Sequence, residues 1–276
     1  MKANDRDWLV VGATPDEMKA AGFVQVGKDF PVFLHPITKE EYALARTERK
    51  SGKGYQGFVC NTSPDVTLEE DLLRRDFTIN VMAKDNAGKI HDPYNGLADL
   101  ENRILRHVSP AFAEDPLRVL RGARFLARFY RMGFSVAEET EQLMRSLVDA
   151  EELQQLSAER VWSETERALL EKNPEQYFAL LKKVGALGVW FTELGEQEFK
   201  LPEFLAEADS SLRALLCWGW LLHDLTPKAI DALCVRIKAP KRYQDFALLV
   251  QRFWPLLNAK PEKNAELLLA LLEKAG

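Results

Sequence analysis

Glu114-Asp-Pro-Leu-Arg-Val-Leu-Arg-Gly-Ala-Arg-Phe125 reads as the start of a helix that carries three arginines. Asp115 suits the cap and Pro116 the first helical position. Leu117, Leu120 and Ala127 recur at helical spacing, and Phe125 and Leu126 widen the apolar side, so one face can pack inward. Arg118, Arg121 and Arg124 follow at steps of three. Each step falls short of a full turn, so the guanidiniums spiral slowly around one side. An acid pair followed by three forked cations suits a nucleotide. A carboxylate and an arginine can hydrogen-bond a base edge while further arginines face phosphates. Taken alone, the segment fits a capping aspartate and a solvated basic face better, since both are common. The motifs upstream reverse that balance.

The chain has 276 residues, enough for two or three modest domains, and is 46% hydrophobic, enough for a sizeable core. Its net charge of −5 excludes a wholesale polyanion binder, so any nucleic-acid contact must come from local basic patches. Cys60, Cys217 and Cys234 are odd in number, far apart and in no C-x-x-C pair. That argues against a disulfide framework or a zinc site and for a reducing, cytoplasmic setting. The start of the chain has no charged, then apolar, signal-peptide pattern. No apolar run approaches the roughly 20 residues of a spanning helix.

Asp5-Arg-Asp-Trp-Leu-Val-Val-Gly12 opens with two carboxylates one residue apart, ahead of a buried strand at Leu9 to Val11 that ends at Gly12. In an extended chain residues i and i+2 point the same way. Two carboxylates on one side repel each other unless a cation sits between them, which is why a D-x-D pair can hold Mg²⁺. An isolated D-x-D is more often a polar strand edge. Thr14 to Glu17 reads as a capping box opening a helix that Gly22 ends. Phe23 to Val26, Pro31 to His35 and Glu41 to Thr47 read as strands. Thr47 to Gly57 is basic, holds three glycines and reads as a mobile loop, either a flap over a substrate or a plain hairpin connection. Thr67 and Glu70 make a second capping box, and Arg74, Arg75 and Asp76 close that helix, with Asp76 placed to cap the segment that follows.

These motifs resemble the class II tRNA nucleotidyltransferases, the CCA-adding enzymes and their poly(A) polymerase relatives. The residues that carry the resemblance are Asp5-Arg-Asp7, Leu44 to Lys50, Arg74-Arg-Asp-Phe-Thr-Ile-Asn80, Asp92 to Gly96 with Asp99 and Leu100, Leu105 to Val108, and Glu114 to Arg118 with Arg121 and Arg124. They fall in order across roughly residues 4–195. The likeness is strongest to bacterial CCA-adding enzymes through Val26 to Pro36. Poly(A) polymerases want a second basic residue where Asp29 stands.

The resemblance implies an α+β fold. A polymerase-β-like nucleotidyltransferase head is expected over 1–105, an arginine-bearing helical neck over 106–170, and a helical body and tail over 171–276 that bind tRNA by shape. It implies that Asp5 and Asp7 are catalytic and bind Mg²⁺, and that the 3′ hydroxyl of tRNA attacks the α-phosphate of CTP or ATP. Arg75 and Asn80 would sit near triphosphate and sugar. Asp115 and Arg118 would read the base edge, Arg121 and Arg124 would hold the nucleotide, and the loop after Leu44 would help switch from C to A. The family normally carries a strand and a Gly-Gly-x-Val-Arg-Asp turn ahead of the D-x-D pair. Here only Met1-Lys-Ala-Asn precedes Asp5, so the expectation is a head without its first strand. That leaves a non-catalytic tRNA-binding remnant, or a poly(A) polymerase, as alternatives.

From Ala137 onward the chain reads as helical, with segments at Glu138 to Val148, Ala158 to Leu170 and Pro174 to Val184, and Ser157 as a cap. Arg160 and Glu164 read as a surface i,i+4 pair. The tryptophans read as mostly core. Lys238, Lys241 and Arg242 read equally as RNA contacts or as a solvated patch. His223-Asp224 resembles a metal-dependent HD site, but a single histidine there cannot ligate one, so that domain is expected to be degenerate or absent. The expected partners are tRNA, CTP and ATP, with no membrane, in a monomer or weak dimer.

Overall fold

The computed structural model describes residues 6–26, 32–50, 58–195, 198–202, 205, 208–259 and 270. Asp5, Asp29 and residues 51–57 of the basic loop lie outside them. The fold is α+β, with small sheets mostly in the amino-terminal part, a short strand pair formed by Ile104–Leu105 and Ser135–Val136, and helices dominating beyond. It divides into two compact units. One comprises Met1–Asp99 and His107–Glu114, the other Leu100–Arg106 and Asp115–Gly276. Residues 115–170 and 171–276 therefore share one unit, with the break at the entrance to the arginine helix.

In the head, β1 (Asp7–Val10) runs into α1 (Pro15–Ala20), then β2 (Val24–Val26), β3 (Val32–Leu34) and β4 (Glu41–Leu44). These strands form one sheet in the order β1-β4-β3-β2. β1 lies parallel to β4, with Asp7 opposite Glu41 and Trp8 opposite Tyr42. The other two pairings are antiparallel. α1 starts as its sequence dictates: the Thr14 side chain accepts from the Glu17 N–H, and Glu17 reaches back to the Thr14 N–H at 2.8 Å. Its one buried residue, Met18, packs on Phe33 and Leu44, with Val10, Ala13, Phe23 and Tyr42 around them.

β5 (Thr47–Lys50) and β6 (Phe58–Asn61) pair antiparallel, with Thr47 opposite Asn61 and Lys50 opposite Phe58. The first part of the basic stretch is thus a strand, which corrects the reading of a loop from Thr47 onward. A two-stranded ribbon needs main-chain pairing more than apolar side chains, so composition concealed it. α2 (Leu68–Leu73) carries the Thr67–Glu70 capping box. Next come the short ribbon β7 (Ala83–Lys84) and β8 (Ile90–His91), then α3 (Gly96–Asn102) and β9 (Ile104–Leu105).

In the helical unit, α4 (Leu117–Phe129) is the arginine helix. It is followed by β10 (Ser135–Val136), which pairs parallel with β9, then α5 (Glu138–Asp149), α6 (Ala158–Leu169), α7 (Glu175–Lys183) and α8 (Leu187–Trp190). The chain ends with α9 (Ser210–Leu221), α10 (Pro227–Arg236) and α11 (Lys241–Ala259). α4 packs on both α6 and α7, burying Leu120, Ala123 and Ala127 from its own side and Val161, Ala168, Tyr177 and Leu181 from theirs. Trp162 and Trp218 are buried edge to face at 5.4 Å, and Trp162 meets Tyr243 at 4.7 Å. Trp190, Trp220 and Trp254 are only partly buried.

Candidate nucleotide-handling sites

The head presents Asp7 at the first position of β1, exposed, beside exposed Glu41 on β4. The Asp7 carboxylate makes no hydrogen bond or ion pair with a described residue. Hard carboxylate oxygens suit Mg²⁺. Among the described residues no three His, Cys, Asp or Glu side chains cluster as a ready metal site.

Arg75 follows the last turn of α2. Its Nε and Nη2 both bond Asp71 Oδ2, at 3.2 and 2.9 Å. Arg74 takes the other oxygen: its Nη2 lies 2.6 Å from Oδ1, and its Nε bonds both Oδ1 and the Arg46 carbonyl. The Arg46 N–H also donates to Oδ1. Asp71 is fully buried, and burial alone would raise its pKa. The two guanidiniums outweigh that and hold the carboxyl below the usual carboxylate range. The sequence reading passed over Asp71. Its one signal was its place three and four residues ahead of two arginines on a helix.

Asp76 is buried and accepts from its own neighbour, the Phe77 N–H, at 2.9 Å. Asn80, exposed, donates from Nδ2 to the same Asp76 oxygen at 3.3 Å. The turn between them is a 3-10 turn, Thr78–Asn80. The Thr78 hydroxyl donates to buried Asp99 at 2.7 Å. Asp92 caps α3 by accepting from the Gly96 and Leu97 N–H groups at 2.6 and 2.9 Å. Gly96 is required there, because an added Cβ would stand 2.3 Å from the Thr78 carbonyl oxygen.

In the helical unit, Asp115 Oδ1 accepts from the Leu117 N–H at 3.1 Å, so it serves the helix entrance as its sequence suggested. Pro116 occupies the cap position, one residue ahead of the place expected for it. Arg160 of α6 donates from Nη2 to both Asp115 oxygens, at 3.1 and 2.9 Å. Arg118 and Arg121 are half-buried, with the Arg121 guanidinium 5.6 Å from the Phe125 ring centre. Arg124 is buried. Its Nε meets Glu164 Oε2 at 2.7 Å, and its guanidinium lies 4.7 Å from the Phe125 ring centre. Gly122 is buried too.

Arg160 and Glu164 are therefore not a surface pair. Each reaches back to α4 or its entrance, Arg160 to Asp115 and Glu164 to Arg124. Their spacing on α6 puts both on the face that packs against α4, where burial strengthens such pairs. The basic residues near the carboxyl end are also paired: Lys238 with Glu159, Lys241 with Asp245 at 2.7 Å, and Arg242 with Glu166 at 3.4 Å. Two of these tie the last helices to α6. His223 bonds the Trp220 carbonyl and Asp224, and its ring lies 3.6 Å from that of Trp254.

A mixed head with a carboxylate at the front of its first strand, followed in the chain by helices that pack around an arginine helix, makes this an α+β protein. Residues 2–106 match the poly A polymerase head domain. Residues 133–197 match the probable RNA and SrmB-binding site of polymerase A. The two matches together place the head and the RNA-binding region of the poly(A) polymerase superfamily, in that order, along this chain.

Solved structures share the fold. A CCA-adding enzyme in its apo form II superposes with a TM-score of 0.70 at 21% identity, over 99% of this chain and 69% of that one. A CCA-adding enzyme with CTP gives 0.67 at 24%, over 94% of this chain and 64% of that one. A tRNA-processing enzyme in apo form I gives 0.65 at 23%, over 100% and 79%. Among the described residues, no helix is long and apolar enough to cross a membrane.

Proposed function

We propose that this chain adds all or part of the 3′-terminal CCA to tRNA from CTP and ATP, without a nucleic-acid template. The observation that carries the reading is the exposed Asp7 carboxylate at the front of β1, in a segment that matches the poly A polymerase head domain. The CCA-adding enzymes solved with CTP and with ATP, which share the fold, support the choice of nucleotides. Asp5 and Asp7 would hold Mg²⁺, which would supply charge stabilisation at the phosphoryl oxygens. The tRNA 3′ oxygen forms a bond to the α-phosphorus, the bond from that phosphorus to the bridging oxygen breaks, pyrophosphate leaves, and the hydroxyl proton passes to solvent. Arg75 faces the triphosphate and Asn80 the sugar.

In the helical unit Asp115 and Arg118 read the Watson–Crick edge of the base, with Arg121 beside them. Arg124 acts by holding α4 against α6, because its guanidinium is already engaged with Glu164. The test is incubation of tRNA lacking its CCA with CTP, ATP and Mg²⁺. Stepwise extension that is lost in Asp7→Asn is expected. No extension, with tRNA binding intact and indifferent to Asp7→Ala, would replace this reading with a binding-only one. Long A tails made from ATP alone would replace it with a poly(A) polymerase.

A further inference from the structure

We infer that Asp71 is a positioning residue that locks the Arg75 guanidinium so that one edge is presented, already oriented, to the phosphates of a nucleoside triphosphate. The inference rests on the nucleotide-binding reading above. One buried carboxylate divides itself between two arginines. Oδ1 takes Arg74 and the Arg46 N–H, and Arg74 spends its Nε partly on the Arg46 carbonyl, so Arg74 is consumed in fastening α2 to the end of β4. Its side chain is only 17% exposed.

Arg75 differs. Its Nε and Nη2 grip Oδ2, its side chain is 37% exposed, and its Nη1 has no partner among the described residues. A planar guanidinium held along one edge cannot rotate, so the other edge keeps a fixed direction. An arginine fixed in advance loses less freedom when it meets a phosphate than a solvated one does. The ligand chemistry this edge fits is a phosphate oxygen of a nucleotide. Asp71 itself, with no exposed atom, touches no ligand.

The experiment is calorimetric titration of the full chain with ATP and Mg²⁺, for wild type, Asp71→Asn, Arg75→Gln and the double variant, with thermal unfolding of each. Asp71→Asn should weaken ATP by about tenfold, the scale of one charge-assisted hydrogen bond. In the Arg75→Gln background the same change should cost nothing further, because Asp71 acts through Arg75. Wild-type affinity in Asp71→Asn would overturn the inference, as would two losses that multiply in the double variant. If Asp71→Asn does not fold, Arg75→Lys decides: it keeps the charge but cannot bond Oδ2 in a fork, so it should show the same tenfold loss, and wild-type affinity there overturns the inference. A wild-type chain that does not bind ATP would overturn the functional reading and this inference with it, an outcome distinct from a bound nucleotide indifferent to Asp71.

Discussion

The Arg124 guanidinium meets the Glu164 carboxylate at 2.7 Å inside the helical unit, with both side chains less than a tenth exposed. The pair joins α4 to α6. Glu171 extends it, lying 3.6 Å from Arg124 and 2.8 Å from Arg128.

Removing one partner leaves the other charge buried. Arg124→Met strands Glu164 with only the exposed Arg167 at 3.5 Å, and should cost about 3–5 kcal/mol. Replacing both, as Arg124→Met with Glu164→Leu, removes the stranded charge and should recover most of that loss. Urea unfolding of the two variants reads the difference. An unchanged midpoint in Arg124→Met would show that the pair contributes nothing.

Asp71 gives the head a pH dependence whose sign follows from its lowered pKa. Burial opposes the shift, and Arg74 and Arg75 impose it. A carboxyl held below its unfolded value binds fewer protons when folded. Its stabilisation is therefore complete above about pH 3.9, the ordinary aspartate value, and is lost as pH falls through the folded-state value. The stability gap between wild type and Asp71→Asn should be widest near neutrality and should close below pH 4. A gap that stays constant on acidification would contradict this assignment.

Three glycines separate steric need from conformational freedom. A Cβ at Gly96 would lie 2.3 Å from the Thr78 carbonyl, and one at Gly219 would lie 2.7 Å from a Phe246 ring atom, while nothing lies within 4 Å of one at Gly188. Gly219→Ala should cost about 1–3 kcal/mol, the range for overpacking, as α9 is pushed off α11. Gly96→Ala should cost at least as much, because backbone rather than a ring edge must move. Gly188→Ala, in a short helix with open space, should stabilise by a few tenths to about 1 kcal/mol. Thermal unfolding of the three would rank them.

Much of the fold could be read from local chemistry. Both capping boxes, the Ser157 cap and the helices after Ala137 lie where their residues placed them, because caps and 3.6-residue periodicity are local signals. The ribbon at Thr47–Lys50 was hidden because its pairing partner, Phe58–Asn61, is recognised only once the chain turns back. The arginine helix shows the same limit. The step of three put Arg118, Arg121 and Arg124 on a slow spiral, but which of them turns inward depended on where α6 lies. That helix carries Glu164, and no spacing rule within residues 114–125 contains it. Asp71 was overlooked for a related reason: its neighbours Arg74 and Arg75 read as helix-ending cations, while its third donor, the Arg46 N–H, is 25 positions away.

Asp115 and Arg160 carry the last expectation. A carboxylate has about four lone-pair sites. Arg160 engages both Asp115 oxygens and the Leu117 N–H engages one, so the carboxylate is fixed in direction and keeps acceptor capacity for an amino group. Cytosine and adenine each offer an exocyclic amino donor, while uracil presents a carbonyl at that position. Arg160→Met should let the carboxylate swing about its remaining bond. On the proposed function, UTP incorporation should then rise relative to CTP by about tenfold, the scale of one misplaced polar contact. Both side chains of the pair are a fifth to a quarter exposed, so stability should barely move. Single-nucleotide addition with competing CTP and UTP measures the ratio, and unfolding midpoints provide the control. Discrimination equal to wild type would mean that the Leu117 N–H alone aims Asp115, and that Arg160 only fastens α6 to the entrance of α4.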